Sequence, residues 1–76
     1  MTLNRLSAGQ TAKVTALLLG GAIRRRLLDL GLIEGTQVRC VRRALAGDPV
    51  IYSFRGTMVA LRREDSARIC VEVEET

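Results

Sequence analysis

The spacing of apolar residues changes once along this chain, and that change limits what it can fold into. Most of the sequence alternates with a period of two. Ile69, Val71 and Val73 alternate with Arg68, Cys70, Glu72 and Glu74, and Ala12, Val14 and Ala16 alternate with Lys13 and Thr15. Successive side chains of an extended strand point to opposite faces, so such stretches read as strands with one face buried. Between Ala22 and Leu30 the spacing becomes helical. At about 100° per residue, Ile23, Leu27 and Leu30 share a narrow arc. The chain is therefore mainly β, with a short α-helical insert after the first strand.

Turn residues place the other elements. Leu3 to Gln10 is a lead-in anchored by Leu3 and Leu6, with Gly9 at a turn. Thr11 to Leu17 is the first strand, ended by Gly20-Gly21. Gly31 directly follows the helix and suits the left-handed residue that closes one, after which Leu32 can pack back on the last turn. Glu34-Gly35-Thr36 is a turn. Gln37 to Arg43 is a strand in which Val41 breaks the alternation of Val38 and Cys40. Gly47-Asp48-Pro49 is a strong turn signal, because Pro fixes its own φ and Asp bonds nearby backbone. Val50 to Phe54 and Thr57 to Arg62 are strands joined by a tight hairpin at Arg55-Gly56. Glu64 to Ala67 leaves room for a one-turn helix before the last strand. Five short strands in 76 residues favour a small five-stranded barrel, since closure removes unpaired edges. A chain of this length is expected to be a single domain, 1–76.

The residue inventory argues against catalysis. The chain has no histidine, the commonest general base and metal ligand. Its acidic residues are scattered in turns or alternate along the last strand. Gly20-Gly21 lacks the Gly-x-x-x-x-Gly-Lys-Ser/Thr pattern of a phosphate-binding loop. Cys40 and Cys70 lie thirty positions apart within expected strands, where a thiol behaves as a small hydrophobe. Zinc sites and disulfide scaffolds normally use four or more ligands or cysteines, so neither a metal site nor a cofactor is expected. The apolar stretch Val14 to Leu19 is too short for a signal peptide, and no run approaches the ~18 residues of a membrane span. A cytoplasmic location is the expectation.

Charge points instead to a binding module. The net charge is +4, and Lys13 is the only lysine among twelve basic residues. The arginine guanidinium is a planar fork suited to carboxylates and phosphates. Arg24-Arg25-Arg26 concentrates three such charges on one helical turn, with only Asp29 placed to offset them. Leu28 falls between Arg24 and Arg25 on the exposed side, an apolar residue ringed by cations, as in an interface anchor. Of Leu17-Leu18-Leu19, at least one is expected to be exposed beside the helix, so Leu18 and Leu19 join Arg24, Arg25, Arg26 and Leu28 as candidate partner-binding residues. A charge run can equally be a solvated face. Nucleic-acid binding by base stacking needs exposed rings. Tyr52 and Phe54, two apart on one strand, share a face and belong to the core. A phosphate-directed binding module, with the arginines on the phosphates of nucleic acid or anionic lipid, stays open as the alternative function.

Several segments read together resemble the FeoA family, ferrous iron transport protein A. Arg26-Leu27-Leu28-Asp29-Leu30-Gly31-Leu32-Ile33-Glu34-Gly35 resembles its helix–Leu-Gly-(Leu/Met)-x-x-Gly signature. Gly47-Asp48-Pro49-Val50 is similar to its Gly-Asp-Pro-Ile turn. Val59 to Asp65 followed by Ile69-Cys70-Val71 resembles its closing segment. Gly31, Gly35, Gly47, Asp48, Pro49 and Gly56 are thus the structural turn positions. Ala44-Leu45-Ala46 stands where the family often has Ala-Pro-Leu. The resemblance implies an SH3-like five-stranded barrel and a cytosolic accessory role in bacterial ferrous iron uptake. The implied partner is FeoB, a membrane transporter with a cytoplasmic GTPase domain. The membrane would be met only through that partner, no specific nucleic acid is implied, and weak self-association is left open. A weaker likeness to the SH3-like domain of iron-dependent repressors leaves a detached relative of that domain as the alternative.

Overall fold

A computed structural model describes residues 1–74. After a 3-10 turn at Leu3–Arg5, the elements are β1 (Thr11–Leu17), α1 (Gly21–Asp29), β2 (Gln37–Arg43), β3 (Val50–Phe54), β4 (Thr57–Leu61), α2 (Arg63–Ser66) and β5 (Ile69–Val73). The strands form one antiparallel sheet in the order β4-β3-β2-β1-β5. This is the mainly β, SH3-like arrangement that the periodicity and the resemblance implied. Among the described residues, no helix is long and apolar enough to cross a membrane.

The alternation predicted from sequence is the alternation that builds the core. Val14 of β1, Val38 and Cys40 of β2, Tyr52 and Phe54 of β3, Val59 and Leu61 of β4, and Ile69 and Val71 of β5 are all buried in one cluster. All five strands therefore turn one face to a common interior, which requires the sheet to roll up. Two bulges help it do so. One falls between Cys40 and Arg42 of β2, at Val41, where the sequence alternation breaks. The other falls between Val14 and Ala16 of β1. An extra residue on one strand increases local twist and shifts the side chains beyond it. Ala16, expected to face the core with Ala12 and Val14, is consequently only half-buried, as is Leu17.

The ladders leave β4 and β5 at the two ends of the sheet. α2 connects them and packs with the 3-10 turn over the end of the core. Three polar contacts hold this cover in place. Arg43 Nη2 donates to the carbonyl oxygens of Asn4 and Leu6, at 3.1 and 3.0 Å. Asp48 Oδ1 accepts from the Arg63 N–H at 2.9 Å, so the turn between β2 and β3 caps α2. α2 begins at Arg63, one residue before the expected Glu64, and β4 stops at Leu61, one residue before the expected Arg62. Tyr52, fully buried, donates its hydroxyl to the Leu3 carbonyl at 3.4 Å. Burial pushes its pKa up, although the Ser66 hydroxyl beside it opposes this.

Candidate functional site

α1 carries three consecutive exposed arginines, and its position is set chiefly from its C-terminal end. Its N-cap is Gly20, whose missing side chain leaves the first turn without a cap bond. The other end is closed by a two-bond lock. The Leu32 N–H donates to the Leu27 carbonyl at 2.9 Å and the Gly31 N–H to the Leu28 carbonyl at 3.0 Å. Gly31 takes φ of +100° to allow this, the left-handed closure expected from sequence. Thr36 secures the turn that follows, with Oγ1 donating to the Gly31 carbonyl and accepting from the Ile33 N–H. Leu27 is fully buried, while Ile23 and Leu30 are half-buried against the core. The predicted stripe is the face that docks.

The opposite face carries the predicted cations. Arg24, Arg25 and Arg26 are all exposed. With Gly21, Ala22, Leu28, Asp29 and Leu30 they line a shallow depression. Leu28 is half-buried rather than free-standing, because the alkyl stems of neighbouring arginines line the same depression. The helix C-terminus carries partial negative charge, and Arg26 lies in its last turn. That attraction offsets part of the repulsion among the three arginines. The arrangement sets forked donors beside a small apolar patch, which suits an acidic, partly apolar protein surface.

The leucine run needs a correction. Leu18 is 61% exposed, but Leu19 is only 3% exposed and belongs to the core. The Leu18 N–H donates to the Arg68 carbonyl at 2.7 Å, which extends the pairing with β5 past the end of β1. Strand alternation therefore persists for two more residues, turning Leu18 out and Leu19 in. Leu19 is unavailable to a partner. Leu18 is exposed but does not line the depression on α1.

Among the turn positions, the Asp48–Pro49 peptide bond is cis. Gly31, Gly35, Gly47 and Gly56 have positive φ. Among the described residues, no three His, Cys, Asp or Glu side chains converge as a metal ion requires. Both cysteines are free. Burial pushes the Cys40 thiol up, with nearby Arg43 pulling weakly the other way. Since the thiolate is the reactive form, Cys40 is expected to resist iodoacetamide in the folded protein while half-exposed Cys70 is modified first. Peptide mass mapping of a labelling time course checks this; equal rates at the two sites would contradict it.

One surface feature escaped the sequence reading. Leu45, at the tip of the β2–β3 hairpin, is 109% exposed. The available signal was Ala44-Leu45-Ala46 lying between Arg43 and Gly47, outside any strand or helix that could bury it.

Residues 1–73 match the FeoA domain family. The chain belongs to the FeoA family. It is 37% identical over 73 residues to an Fe(2+) transport protein A/Fe(2+) transporter FeoB fusion protein of Porphyromonas gingivalis, covering 96% of this chain and 9% of that one. Among solved structures, FeoA of Chlorobium tepidum superposes with a TM-score of 0.91 at 38% identity, over 96% of this chain and 70% of that one. FeoA of Stenotrophomonas maltophilia in complex with zinc, described as a prokaryotic SH3 domain protein, gives 0.84 at 34% identity, over 95% and 89%. This FeoA-family chain has the SH3-like fold of its relatives. It spans less than a tenth of the length of the fusion protein.

Proposed function

We propose that the chain is a cytosolic accessory of ferrous iron uptake that acts by binding rather than catalysis, docking through the outer face of α1 on the cytoplasmic GTPase domain of FeoB. The observation that carries this reading is the fusion of a homologous domain to FeoB in one polypeptide. Covalent linkage raises the effective concentration of two modules that act together; separate chains must supply the same proximity through an interface. α1 has the chemistry for one. Exposed ion pairs contribute only ~0–1 kcal/mol each, so the three arginines mainly steer and orient an acidic partner. Leu28 supplies apolar contact. Because it is already half-buried, its further burial contributes about 1 kcal/mol, less than the ~1.5–3 kcal/mol of a fully buried leucine.

A titration of the chain against the cytoplasmic domain of FeoB tests this. Leu28→Glu, which places a carboxylate among the arginines, is expected to weaken binding about tenfold, more than Arg25→Ala does. Arg24→Gln/Arg25→Gln/Arg26→Gln should slow association and flatten its salt dependence. Unchanged affinity for all three variants, with thermal unfolding also unchanged, would remove α1 from the interface.

A further inference from the structure

A second basic and apolar surface lies away from α1, around the tip of the β2–β3 hairpin. The tip is a tight turn in which the Gly47 N–H donates to the Ala44 carbonyl at 2.8 Å and the Ala44 N–H to the Pro49 carbonyl at 3.0 Å. Leu45 and Ala46 occupy its two central positions. Leu45 touches nothing that hides it. A turn that holds a leucine wholly in water gains no burial for it on folding, and this is the most exposed large apolar side chain among the described residues.

Its surroundings are cationic. Arg42 and Arg43 immediately precede the tip, and with Leu45, Pro49, Ile51 and Ala60 they line a shallow depression on its flank. Asp48 bonds to the backbone of Arg63, which brings Arg62 and Arg63 beside the hairpin. Arg43 bonds to the carbonyls of Asn4 and Leu6, which brings Arg5 there too. Against these five arginines stand Asp48, Glu64 and Asp65. The formal balance around the tip is therefore positive, with the Arg43 guanidinium held by the Asn4 and Leu6 carbonyls and the other four arginines left to meet a partner. α1 is separate from this region. The turn that closes it lies by Arg55, whereas the hairpin tip is at the other end of β3.

We infer that the β2–β3 hairpin is a membrane-docking tip, with Leu45 entering the interface of an anionic phospholipid bilayer and the surrounding arginines on lipid phosphates. Charge complementarity and shape favour lipid over other polyanions. A lone protruding leucine gains nothing from a phosphodiester backbone. No aromatic ring is exposed here for base stacking, since Tyr52 and Phe54 are buried. A bilayer interface accepts an apolar tip ringed by arginines, with the alkyl stems in the apolar boundary and the guanidinium groups at the phosphates. The sequence left open a phosphate-directed contact of the arginines with anionic lipid; the exposed tip supplies an apolar anchor and a location for it. This inference is independent of α1, and the two surfaces could be used at once.

Vesicle sedimentation tests it. The full chain is mixed with phosphatidylcholine vesicles containing roughly one-third phosphatidylglycerol, or none, at moderate salt. Binding is expected only to the anionic vesicles. Leu45→Asp, at a position that supports no packing, should lower the partition coefficient about tenfold. Arg42→Gln and Arg62→Gln should each lower it about fivefold, while Arg24→Gln/Arg25→Gln should leave it nearly unchanged. Equal partition of Leu45→Asp and wild type would overturn the proposal. So would equal binding to uncharged vesicles, or release by duplex DNA that occurs equally in wild type and Leu45→Asp. The FeoB titration responds to the α1 variants and the vesicle assay to the hairpin variants, so either reading can fail alone.

Discussion

Gly31→Ala is expected to lower the stability of the fold by about 2 kcal/mol. Two causes converge at this residue, and a second substitution separates them. Gly31 has φ of +100°, a conformation that a side chain disfavours by roughly 1–3 kcal/mol. A Cβ there would also lie 2.7 Å from Arg55 Cδ. That carbon belongs to a flexible side chain, which can move aside at the cost of its packing. The backbone cost should therefore dominate, and Arg55→Ala should recover only a minor part of the loss. Urea denaturation of the two single variants and the double variant measures this through the midpoint, provided the slope stays constant. Full recovery in the double variant would place the cost in the steric contact. A loss below about 0.5 kcal/mol would mean that the turn relaxes and the helix lock is unimportant.

The strands were legible because their apolar residues alternate and their turns carry Gly, Asp and Pro. β1, β2 and β3 begin and end where the pattern placed them, and Gly31 closes α1 as expected. Even Val41 carried information, since its break in alternation marks a bulge. What stayed hidden depends on contacts between distant parts of the chain. Nothing near Asp48 in sequence announces that its carboxylate caps a helix fifteen residues later. The bulge after Val14 and the pairing of Leu18 with Arg68 are set by β5, so the exposures of Ala16, Leu18 and Leu19 could not be assigned from local spacing alone.

The arginines show the same limit. Composition treats all of them as one basic balance, yet the fold uses them differently. Arg43 spends its guanidinium on two carbonyls of the N-terminal segment. Arg55 lies across Gly31 at the β3–β4 turn. Arg24, Arg25 and Arg26 make no side-chain hydrogen bond among the described residues, which keeps their donors available to a partner. Helical spacing identified this last group because it gives the direction of each side chain. It could not identify the hairpin surface, which is assembled from the β2–β3 turn, the start of α2 and the N-terminal segment.

Leu27 and Leu28 are adjacent, and the structure predicts opposite consequences for them. Leu27→Ala is expected to cost about 3 kcal/mol of stability, within the range for emptying a buried leucine site. That is a large share of the roughly 4–11 kcal/mol typical of a chain this long. Leu27 is the only residue of α1 that is fully buried, and it is also the residue whose carbonyl receives the Leu32 N–H. Its side chain fixes the helix to the barrel just where the uncapped first turn cannot. Loss of that contact should loosen α1 before the strands, so amide protection should fall over residues 24–30 more than within β2 and β3. Leu28→Ala removes a half-buried group from the outer face and should cost less than about 1 kcal/mol. Partner binding by Leu27→Ala would then weaken through displacement of the helix and recover at lower temperature or in a stabilising osmolyte. The loss in Leu28→Glu would persist under the same conditions. Comparable stability of Leu27→Ala and wild type would show that the barrel holds α1 by other means.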